Sequence, residues 1–233
     1  MRSLAAILAP FACACATSKV EAPARRPVLL IHGLDDTARG LRPMFDFLVA
    51  RGWRDVQAIE LTPNDGSSGL IALAEQVDRA ARDLVERTTA QEIDVVAFSM
   101  GALVARYWMK RLNPPMAVRT YVSISGPHHG TWTGYLRFNE GARQMRVGSP
   151  FIQDLERDEG DWGGTIVYSF WTPLDLMIVP ASSSRLKGAR EKTFRVMAHP
   201  LMLFDERVLT AVVEALDGAP LAADPAARAP SWP

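Results

Sequence analysis

A serine stands where an apolar run meets a helix-like segment, in the sequence VVAFSMG of residues 95–101. A strand that turns sharply into a helix exposes such a hydroxyl, and the residues two before and two after it must be small because the turn brings them together. Ala97 and Gly101 meet this requirement, so the segment predicts a nucleophile elbow with Ser99 as the nucleophile. Alternatively, Ser99 only caps the helix; the two roles overlap, since the helix dipole favours negative charge at its start.

Acyl transfer at a serine develops negative charge on the substrate carbonyl oxygen, and pre-aimed N–H groups must stabilise it. In an elbow of this kind one donor is the N–H of the next residue, here Met100, and the other comes from the loop after an earlier strand. That loop is HGLDD, residues 32–36, directly after the apolar run 28–31. Gly33 allows the turn, and we expect the Leu34 N–H to be the second oxyanion-hole donor.

Serine also needs a base to accept its proton and an acid to orient that base. The chain order that this elbow implies is serine, then acid, then histidine. Of the four histidines, His199 alone lies late enough. Asp175 and Glu191 are the acids between a predicted strand, 165–171, and His199. Asp175 lies near the strand end among apolar residues, so it is the predicted acid, whereas Glu191 sits in a charged stretch typical of a surface.

The remaining polar residues near these motifs receive plainer interpretations. His32 is interpreted as a structural histidine whose ring bonds local backbone. Asp35 and Asp36 are interpreted as loop-solvating or helix-capping groups. His128 and His129 precede the acid in the chain, so a structural role in their loop is favoured over a positioning role near the acyl site.

Short apolar runs alternate with segments of helical periodicity, a pattern typical of a mainly parallel sheet with helices on both faces. Strands are predicted at 28–31, 56–61, 93–98, 118–125, 165–171 and 193–197, and helices at 41–51, 70–88, 100–112, 149–157 and 205–216. Residues 126–164 are irregular and are predicted to be an insertion within a single domain.

The composition limits the classes of partner. The 233-residue chain has 26 basic and 26 acidic side chains and a formal net charge of zero. This balance gives no electrostatic reason to expect nucleic acid or an anionic membrane surface as a partner. The length suits one domain, predicted at 17–217, and the Ala/Pro-rich residues 218–233 are predicted to be a mobile tail.

The N-terminal residues have the character of a targeting segment. Arg2 precedes an apolar run, 4–16, that is too short to span a bilayer, so we predict a signal peptide over residues 1–16 and no transmembrane segment. The protein would then be secreted or periplasmic, or cytoplasmic if the segment is not a signal. Cys13 and Cys15 are the two cysteines of the chain, so the mature domain needs no disulfide.

Together these motifs resemble the bacterial triacylglycerol lipases and esterases of the α/β-hydrolase superfamily, most of all the small Bacillus-type lipases, which also have alanine at the first elbow position. The shared segments are HGL at 32–34, AFSMG at 97–101, SGPHHGT at 125–131, Asp175 and His199, and the resemblance spans residues 27–216. It implies the α/β-hydrolase fold, a Ser99–His199–Asp175 triad, Leu34 and Met100 as oxyanion donors, and secretion.

Two departures from these lipases concern substrate preference. Phe98 stands where they usually have histidine, and the segment 126–164 is longer than in the smallest relatives. Larger relatives hold calcium near the catalytic histidine loop, but Asp205 is not suitably placed for it, so we predict no metal and no cofactor.

The sequence therefore predicts a monomeric serine hydrolase that cleaves small-molecule or lipid carboxylic esters through an acyl-enzyme. A thioesterase, amidase or acyltransferase with the same triad remains an alternative, as does an inactive hydrolase fold used for binding. A lipase would need an apolar acyl pocket or an oil-facing apolar surface. The candidates, which equally suit an ordinary core, are Tyr135, Leu136, Phe138, Phe151, Ile152, Trp162, Leu174, Met177 and Ile178.

Overall fold

Six parallel strands form one sheet in the computed structural model, which describes residues 25–219. The strands are β1 (Val28–Ile31), β2 (Val56–Ile59), β3 (Glu92–Phe98), β4 (Ala117–Ile124), β5 (Ile166–Trp171) and β6 (Arg190–Thr193). Their order across the sheet is β2-β1-β3-β4-β5-β6, and every neighbouring pair is parallel. The predicted α/β-hydrolase fold is therefore confirmed.

Helices cover both faces of this sheet, as a parallel sheet requires. The α-helices are α1 (Arg42–Ala50), α2 (Leu70–Thr88), α3 (Met100–Arg111), α4 (Glu140–Gln144), α5 (Pro150–Glu156) and α6 (Glu206–Leu216), and the 3₁₀ helices are Ala38–Leu41, Trp132–Leu136, Ala181–Ser184 and His199–Leu203. Buried side chains of α2, α3 and α5 form the core on one face, and those of α1 and α6 form the core on the other.

The short strand β1 shows why the apolar runs in the sequence are continuous. Leu29 and Ile31 pack into the core beneath α2 and α3, whereas Val28 and Leu30 pack into the core beneath α1 and α6. All four side chains are fully buried. A strand whose successive side chains point to opposite, equally covered faces has no position for a polar residue.

The direction of chain progression reverses beside β1, which places the site. From β1 the chain moves to one edge at β2, then returns past β1 to build β3, β4, β5 and β6 toward the other edge. In open parallel sheets, ligands bind in the crevice beyond the carboxyl ends of the strands at such a reversal. The loops that follow β1 and β3 meet there.

The bounds predicted for the sixth strand, 193–197, were wrong by several residues, because this strand spans Arg190–Thr193. This strand lies at the edge of the sheet and pairs only with β5, so its sequence REKT is charged and partly exposed. The apolar residues Phe194 and Val196, which suggested a strand, are buried in the core after the ladder ends. One or two short helices are expected in the insertion, and besides α5 it contains α4 and the 3₁₀ helix Trp132–Leu136, whose positions the irregular pattern did not indicate.

Several sequence predictions concern segments beyond the described residues. The predicted signal peptide, residues 1–16, lies outside 25–219, as does residue 220 onward of the predicted tail, and both stay predictions, as do secretion and a monomeric state. Within 25–219, no helix combines the length and apolar character needed to cross a bilayer. The same residues contain no group of three or more His, Cys, Asp or Glu side chains arranged to hold a metal ion.

Candidate active site

Ser99 lies on a strained turn between β3 and α3. Its φ of 54° and ψ of −125° fall in a region that residues other than glycine seldom adopt, and its N–H donates to the Ile124 carbonyl of the adjacent β4 at 2.9 Å. A Cβ on Gly101 would lie 2.9 Å from Ile31 Cγ2 and would collide with the His32 carbonyl oxygen. The absence of a side chain there lets α3 start directly beside the end of β1. Ala97 is buried in the sheet two residues before the turn.

The loop after β1 lies against the serine. A Cβ on Gly33 would be 2.9 Å from Ser99 Cβ, so only glycine allows this approach. Leu34, the next residue, lines the same cavity as Ser99. Neither the Leu34 N–H nor the Met100 N–H donates a hydrogen bond to an acceptor within residues 25–219. Met100 begins α3, where backbone N–H groups lack helical partners and favour an anion.

His199 and Asp175 form a buried hydrogen-bonded pair. His199 Nδ1 lies 2.6 Å from Asp175 Oδ2, and the two side chains are 5% and 1% exposed. The other carboxylate oxygen, Oδ1, accepts the N–H groups of Met177 and Ile178, each at 2.9 Å. An ionised carboxylate only accepts hydrogen bonds, so Nδ1 carries the proton and Nε2 presents a lone pair.

His199 Nε2 has no hydrogen-bond partner within residues 25–219, although it is buried. Ser99 and His199 line one cavity, and no hydrogen bond joins Ser99 Oγ to this nitrogen. Such bonds are often loose without substrate and tighten in the reacting complex. The structure thus brings together the three residues singled out in the sequence. Asp175 bonds His199, and His199 lines the same cavity as Ser99.

Phe98 packs on the imidazole of His199. The two ring centroids are 4.7 Å apart, and the ring planes are tilted by 36°. Phe98 also lies beside Gly33, where a Cβ would come within 3.2 Å of its Cδ1. At the position where the resembling lipases have histidine, this chain therefore has an apolar ring that packs against the His199 imidazole.

The cavity has a volume of about 350 Å³ and a mostly apolar lining. Its apolar side chains are Leu34, Phe98, Pro127, Met145, Met177, Ile178, Pro200, Leu203 and Phe204. Among the nine candidates for an acyl pocket, only Met177 and Ile178 are in this lining. Phe151 and Ile152 are buried in the core, and the partly buried Trp162 packs against the core beside Tyr121.

Exposed apolar side chains come from the same chain segments as the residues that line the cavity, and we call this set the apolar rim. Its members are Trp132, Tyr135, Leu136, Phe138, Leu174, Leu176, Met177, Met197, Leu201 and Phe204. Within residues 25–219, the large exposed apolar side chains outside the rim are Val49 and Ile71. Because the rim segments also supply cavity-lining residues such as Thr133, Met177 and Phe204, the rim extends the apolar lining onto the surface.

The other histidines have structural roles, as the sequence indicated. The His32 ring is fully buried; its Nε2 accepts the Leu61 N–H at 2.9 Å, so its Nδ1–H donates to the Gly33 carbonyl at 2.8 Å. His128 Nε2 lies 2.7 Å from Ser123 Oγ. Burial, with a smaller effect of the Arg106 charge, holds the pKa of His128 well below its ordinary value. No histidine other than His199 is among the residues that line the cavity.

The acids that the sequence assigned to the surface also lie there. Glu191 is on the edge strand β6 and pairs with Arg185 at 2.9 Å. Asp36 accepts the Thr37 N–H at 2.8 Å, a local loop contact. Asp35 has a further partner that the sequence did not indicate: its carboxylate pairs with the Arg137 guanidinium of the insertion.

Fold and site geometry define this protein as an α/β-hydrolase. The chain matches the model of the palmitoyl protein thioesterase family over residues 27–162, more than half of its length, and it belongs to that family. The matched segment includes Leu34, Ser99 and Met100 but ends before Asp175 and His199.

One curated relative is palmitoyl-protein thioesterase 3 of Dictyostelium discoideum. It is 26% identical over 110 residues, which are 46% of this chain and 37% of that protein. The match thus spans little more than a third of the relative's length.

Solved structures share the fold at low sequence identity. Aspergillus fumigatus lipase B superposes with a TM-score of 0.72 and 19% identity, covering 83% of this chain and 52% of that one. The mature Bacillus licheniformis lipase BlEst2 gives a TM-score of 0.68 and 14% identity, covering 85% and 94%.

Proposed function

We propose that this protein is a serine hydrolase that removes an acyl group from an ester or thioester through a covalent acyl-enzyme on Ser99. One observation carries the proposal. A buried imidazole, bonded to Asp175 through Nδ1, presents an unpartnered Nε2 in the cavity that contains Ser99. A serine on a strained strand-to-helix turn beside such a base is the arrangement that nucleophilic acyl transfer needs.

The proposed reaction begins when Ser99 Oγ attacks the acyl carbonyl carbon and His199 Nε2 accepts the hydroxyl proton. The N–H groups of Leu34 and Met100 stabilise the resulting oxyanion. The bond to the leaving group then breaks, and His199 returns the proton to the departing alcohol or thiol. A water molecule, deprotonated by His199, attacks the acyl-enzyme, and the acid leaves as Ser99 recovers its proton. Asp175 stabilises the imidazolium and keeps its Nε2 facing Ser99.

The shape of the site supports an aliphatic acyl group as the part that is recognised. A volume of about 350 Å³ is at the small end of ligand pockets, which span roughly 300–1,000 Å³. A long acyl chain would therefore begin in the cavity and continue over the apolar rim. The leaving group would remain at the open mouth.

Two leaving-group classes are compatible with this geometry. The family match supports a thioester, and the lipase-like fold supports a carboxylic ester. Cleavage of carboxylic esters, as in the small Bacillus-type lipases, was the class that the sequence favoured, and the alanine at the first elbow position remains its support. We propose that thioesters are cleaved at least as well, since the chain belongs to a thioesterase family.

The experiment compares p-nitrophenyl octanoate with a matched octanoyl thioester for the wild type and Ser99→Ala. Loss of the nucleophile should lower kcat by about 10⁴–10⁶-fold on both substrates. Ser125→Ala is a matched control, because Ser125 directly follows the neighbouring β4, also has a positive φ of 49°, and does not line the cavity. Wild-type turnover by Ser99→Ala, or equal loss in both variants, would contradict the proposal. The ratio of the two wild-type kcat/KM values identifies the preferred leaving group.

A further inference from the structure

We infer that the Asp35–Arg137 ion pair is a positioning pair for the oxyanion hole. It holds the loop that carries the Leu34 N–H in the geometry that stabilises the tetrahedral intermediate. The inference rests on the proposed acyl transfer at Ser99 and adds to it a contact between the loop after β1 and the insertion after β4.

The pair is bidentate and joins distant parts of the chain. Arg137 Nη1 donates to Asp35 Oδ1 at 3.0 Å, and Nη2 donates to Oδ2, across 102 residues of sequence. Two parallel N–H···O bonds fix the orientation of the partners as well as their separation. Arg137 is itself held, because its carbonyl accepts Arg146 Nη2 at 2.9 Å, and Arg146 Nε also bonds the Gly134 carbonyl.

The Asp35 backbone requires support. Its φ of 55° is in the left-handed region, which costs free energy for a residue with a side chain and persists only where the surroundings enforce it. The Asp35 N–H donates to the Asn64 carbonyl at 2.9 Å, and Asn64 Nδ2 donates to the Asp36 carbonyl at 2.9 Å. Asn64 therefore holds the backbone of this turn, and Arg137 holds the side chain.

The peptide that carries the Leu34 N–H is also held on its N-terminal side. The Gly33 carbonyl and the Leu34 N–H belong to one planar trans peptide, so they point in opposite directions. His32 Nδ1 bonds that carbonyl at 2.8 Å. The donor peptide is thus anchored on its N-terminal side by His32, while the next residue, Asp35, is anchored by Arg137. Loss of either anchor lets the N–H turn away from the cavity.

The positive charge of Arg137 should also affect the stability of the oxyanion. Asp35 lines the cavity in which the oxyanion would form. An unpaired carboxylate beside a developing negative charge would raise the free energy of the intermediate, and the Arg137 guanidinium neutralises it. Removing Arg137 alone should therefore harm the reaction more than removing the charge of Asp35.

The pair contributes little to folding, which separates a positioning role from a structural one. The Asp35 and Arg137 side chains are 47% and 44% exposed, and exposed ion pairs add little to stability. Acyl transfer is far more sensitive to geometry, since a displacement of about 1 Å can cost about 10²-fold in rate. The effect of a variant is expected in kcat and not in the melting temperature.

The experiment measures kcat and KM on p-nitrophenyl butyrate for the wild type, Asp35→Asn, Arg137→Gln and Arg137→Lys. Asparagine tolerates the left-handed conformation, so Asp35→Asn keeps the backbone and removes the charge together with one of the two acceptors for Arg137. We expect kcat to fall about 10-fold in Asp35→Asn and further in Arg137→Gln, with KM little changed and Tm within about 3 °C of wild type. Arg137→Lys should recover part of the loss. Arg143→Gln, which breaks the exposed Glu140–Arg143 pair of the same insertion, is the control.

Inhibitor binding reports directly on the oxyanion geometry. An alkyl trifluoromethyl ketone forms a tetrahedral adduct with a reactive serine, whereas the matched alkyl alcohol only occupies the cavity. The Ki of the ketone should rise in Asp35→Asn and Arg137→Gln by the factor that kcat/KM loses, while the Ki of the alcohol stays unchanged.

The outcomes separate the inference from the function on which it rests. A wild-type protein that is inactive and forms no adduct would reject the proposed function itself. An active wild type with unchanged kcat and ketone affinity in Asp35→Asn and Arg137→Gln would overturn the inference alone. So would variants that raise only the KM of long-chain esters, because the pair would then only anchor the insertion.

Discussion

At the scale of single residues, the orientation of the Asp175 carboxylate is fixed by hydrogen bonds to both of its oxygens. One carboxylate oxygen faces His199 Nδ1, and the other accepts the N–H groups of Met177 and Ile178. The turn after β5 thus aims the carboxylate before any substrate arrives. The proposed base depends on this contact for its tautomer, because an acceptor at Nδ1 keeps the proton away from Nε2.

Asp175→Asn should abolish most activity and leave the fold intact. The amide oxygen still accepts the two backbone N–H groups, so the amide nitrogen turns toward His199 and donates to Nδ1. The ring proton then moves to Nε2, which can no longer accept the Ser99 proton, and kcat should fall about 10³–10⁴-fold. Steady-state kinetics on a p-nitrophenyl ester measure the loss. Glu191→Gln, at the other acid of the interval, is the control; equal effects of both changes would contradict the assignment.

At the scale of the elements, the turn at Ser99 also brings the start of α3 into close contact with the end of β1. The start of α3 passes the end of β1 so closely that Gly101 has no room for a Cβ beside Ile31 and His32. The position two residues before the serine is less demanding, since Ala97 fits there with its side chain buried. This difference explains why the pattern departs from glycine at Ala97 and keeps it at Gly101.

Gly101→Ala should therefore be damaging, whereas Ala97→Gly should be tolerated. The added methyl must displace backbone atoms of β1, at a cost of about 1–3 kcal/mol in unfolding free energy, and the shift moves Ser99. Ala97→Gly creates no clash and should cost about 0.5–1 kcal/mol with activity retained. Urea unfolding midpoints and ester hydrolysis test both. If Gly101→Ala kept wild-type stability and activity, the proposed crossing of α3 and β1 would be too loose to matter.

The apolar rim is a second feature of the loops that follow the strands. Leu176 and Met197 are 82% and 75% exposed, so replacing both by serine should hardly change stability. If a long acyl chain lies over the rim, the double variant loses about 1 kcal/mol of apolar contact, and KM for a dodecanoyl ester should rise about fivefold. KM for a butyryl ester should stay the same, because that chain ends inside the cavity.

The matched control for the rim uses exposed apolar residues elsewhere on the surface. Val49→Ser with Ile71→Ser replaces two other exposed apolar side chains, neither of which lines the cavity. A chain-length profile compares the two double variants with the wild type. The same profile for all three proteins would place the acyl chain away from the rim.

At the scale of the whole molecule, the strands that could be predicted from the sequence are those with both faces buried. β1 and β3 are covered on both faces, so their apolar runs identified them and the loops that follow them. β6 is an edge strand with charged residues, and its position was missed. The order serine, acid, histidine is typical of this fold and can be read directly along the chain, and it indicated Ser99, Asp175 and His199. Five members of the apolar rim were among the nine apolar candidates taken from the sequence. The Asp35–Arg137 pair arises from a contact between distant segments that no local pattern records.

The stability of the whole chain should also depend on pH through His128. Its pKa in the fold is well below the ordinary 6.5, chiefly because of burial and next because of Arg106, so the folded state keeps it neutral while the unfolded chain binds a proton below about pH 6.5. Its contribution is therefore fully present above that pH and is lost as the pH falls. The slope from one proton is at most about 1.4 kcal/mol per pH unit.

Urea unfolding of the wild type, His128→Asn and His129→Asn between pH 7.5 and 5 tests this contribution. His128→Asn should lower stability at pH 7.5, because it disturbs the contact with Ser123, yet flatten the decline toward pH 5. His129→Asn removes a partly exposed ring that pairs with Glu156 and is the smallest of the three causes that lower the pKa of His128, so the buried His128 ring and most of the wild-type decline should remain. Burial raises the pKa of Asp94, which gives an opposite trend, but that trend is common to all three proteins and cancels in their differences. Parallel curves for the wild type and His128→Asn would mean that the buried ring accepts its proton without cost, against the burial that the structure gives it.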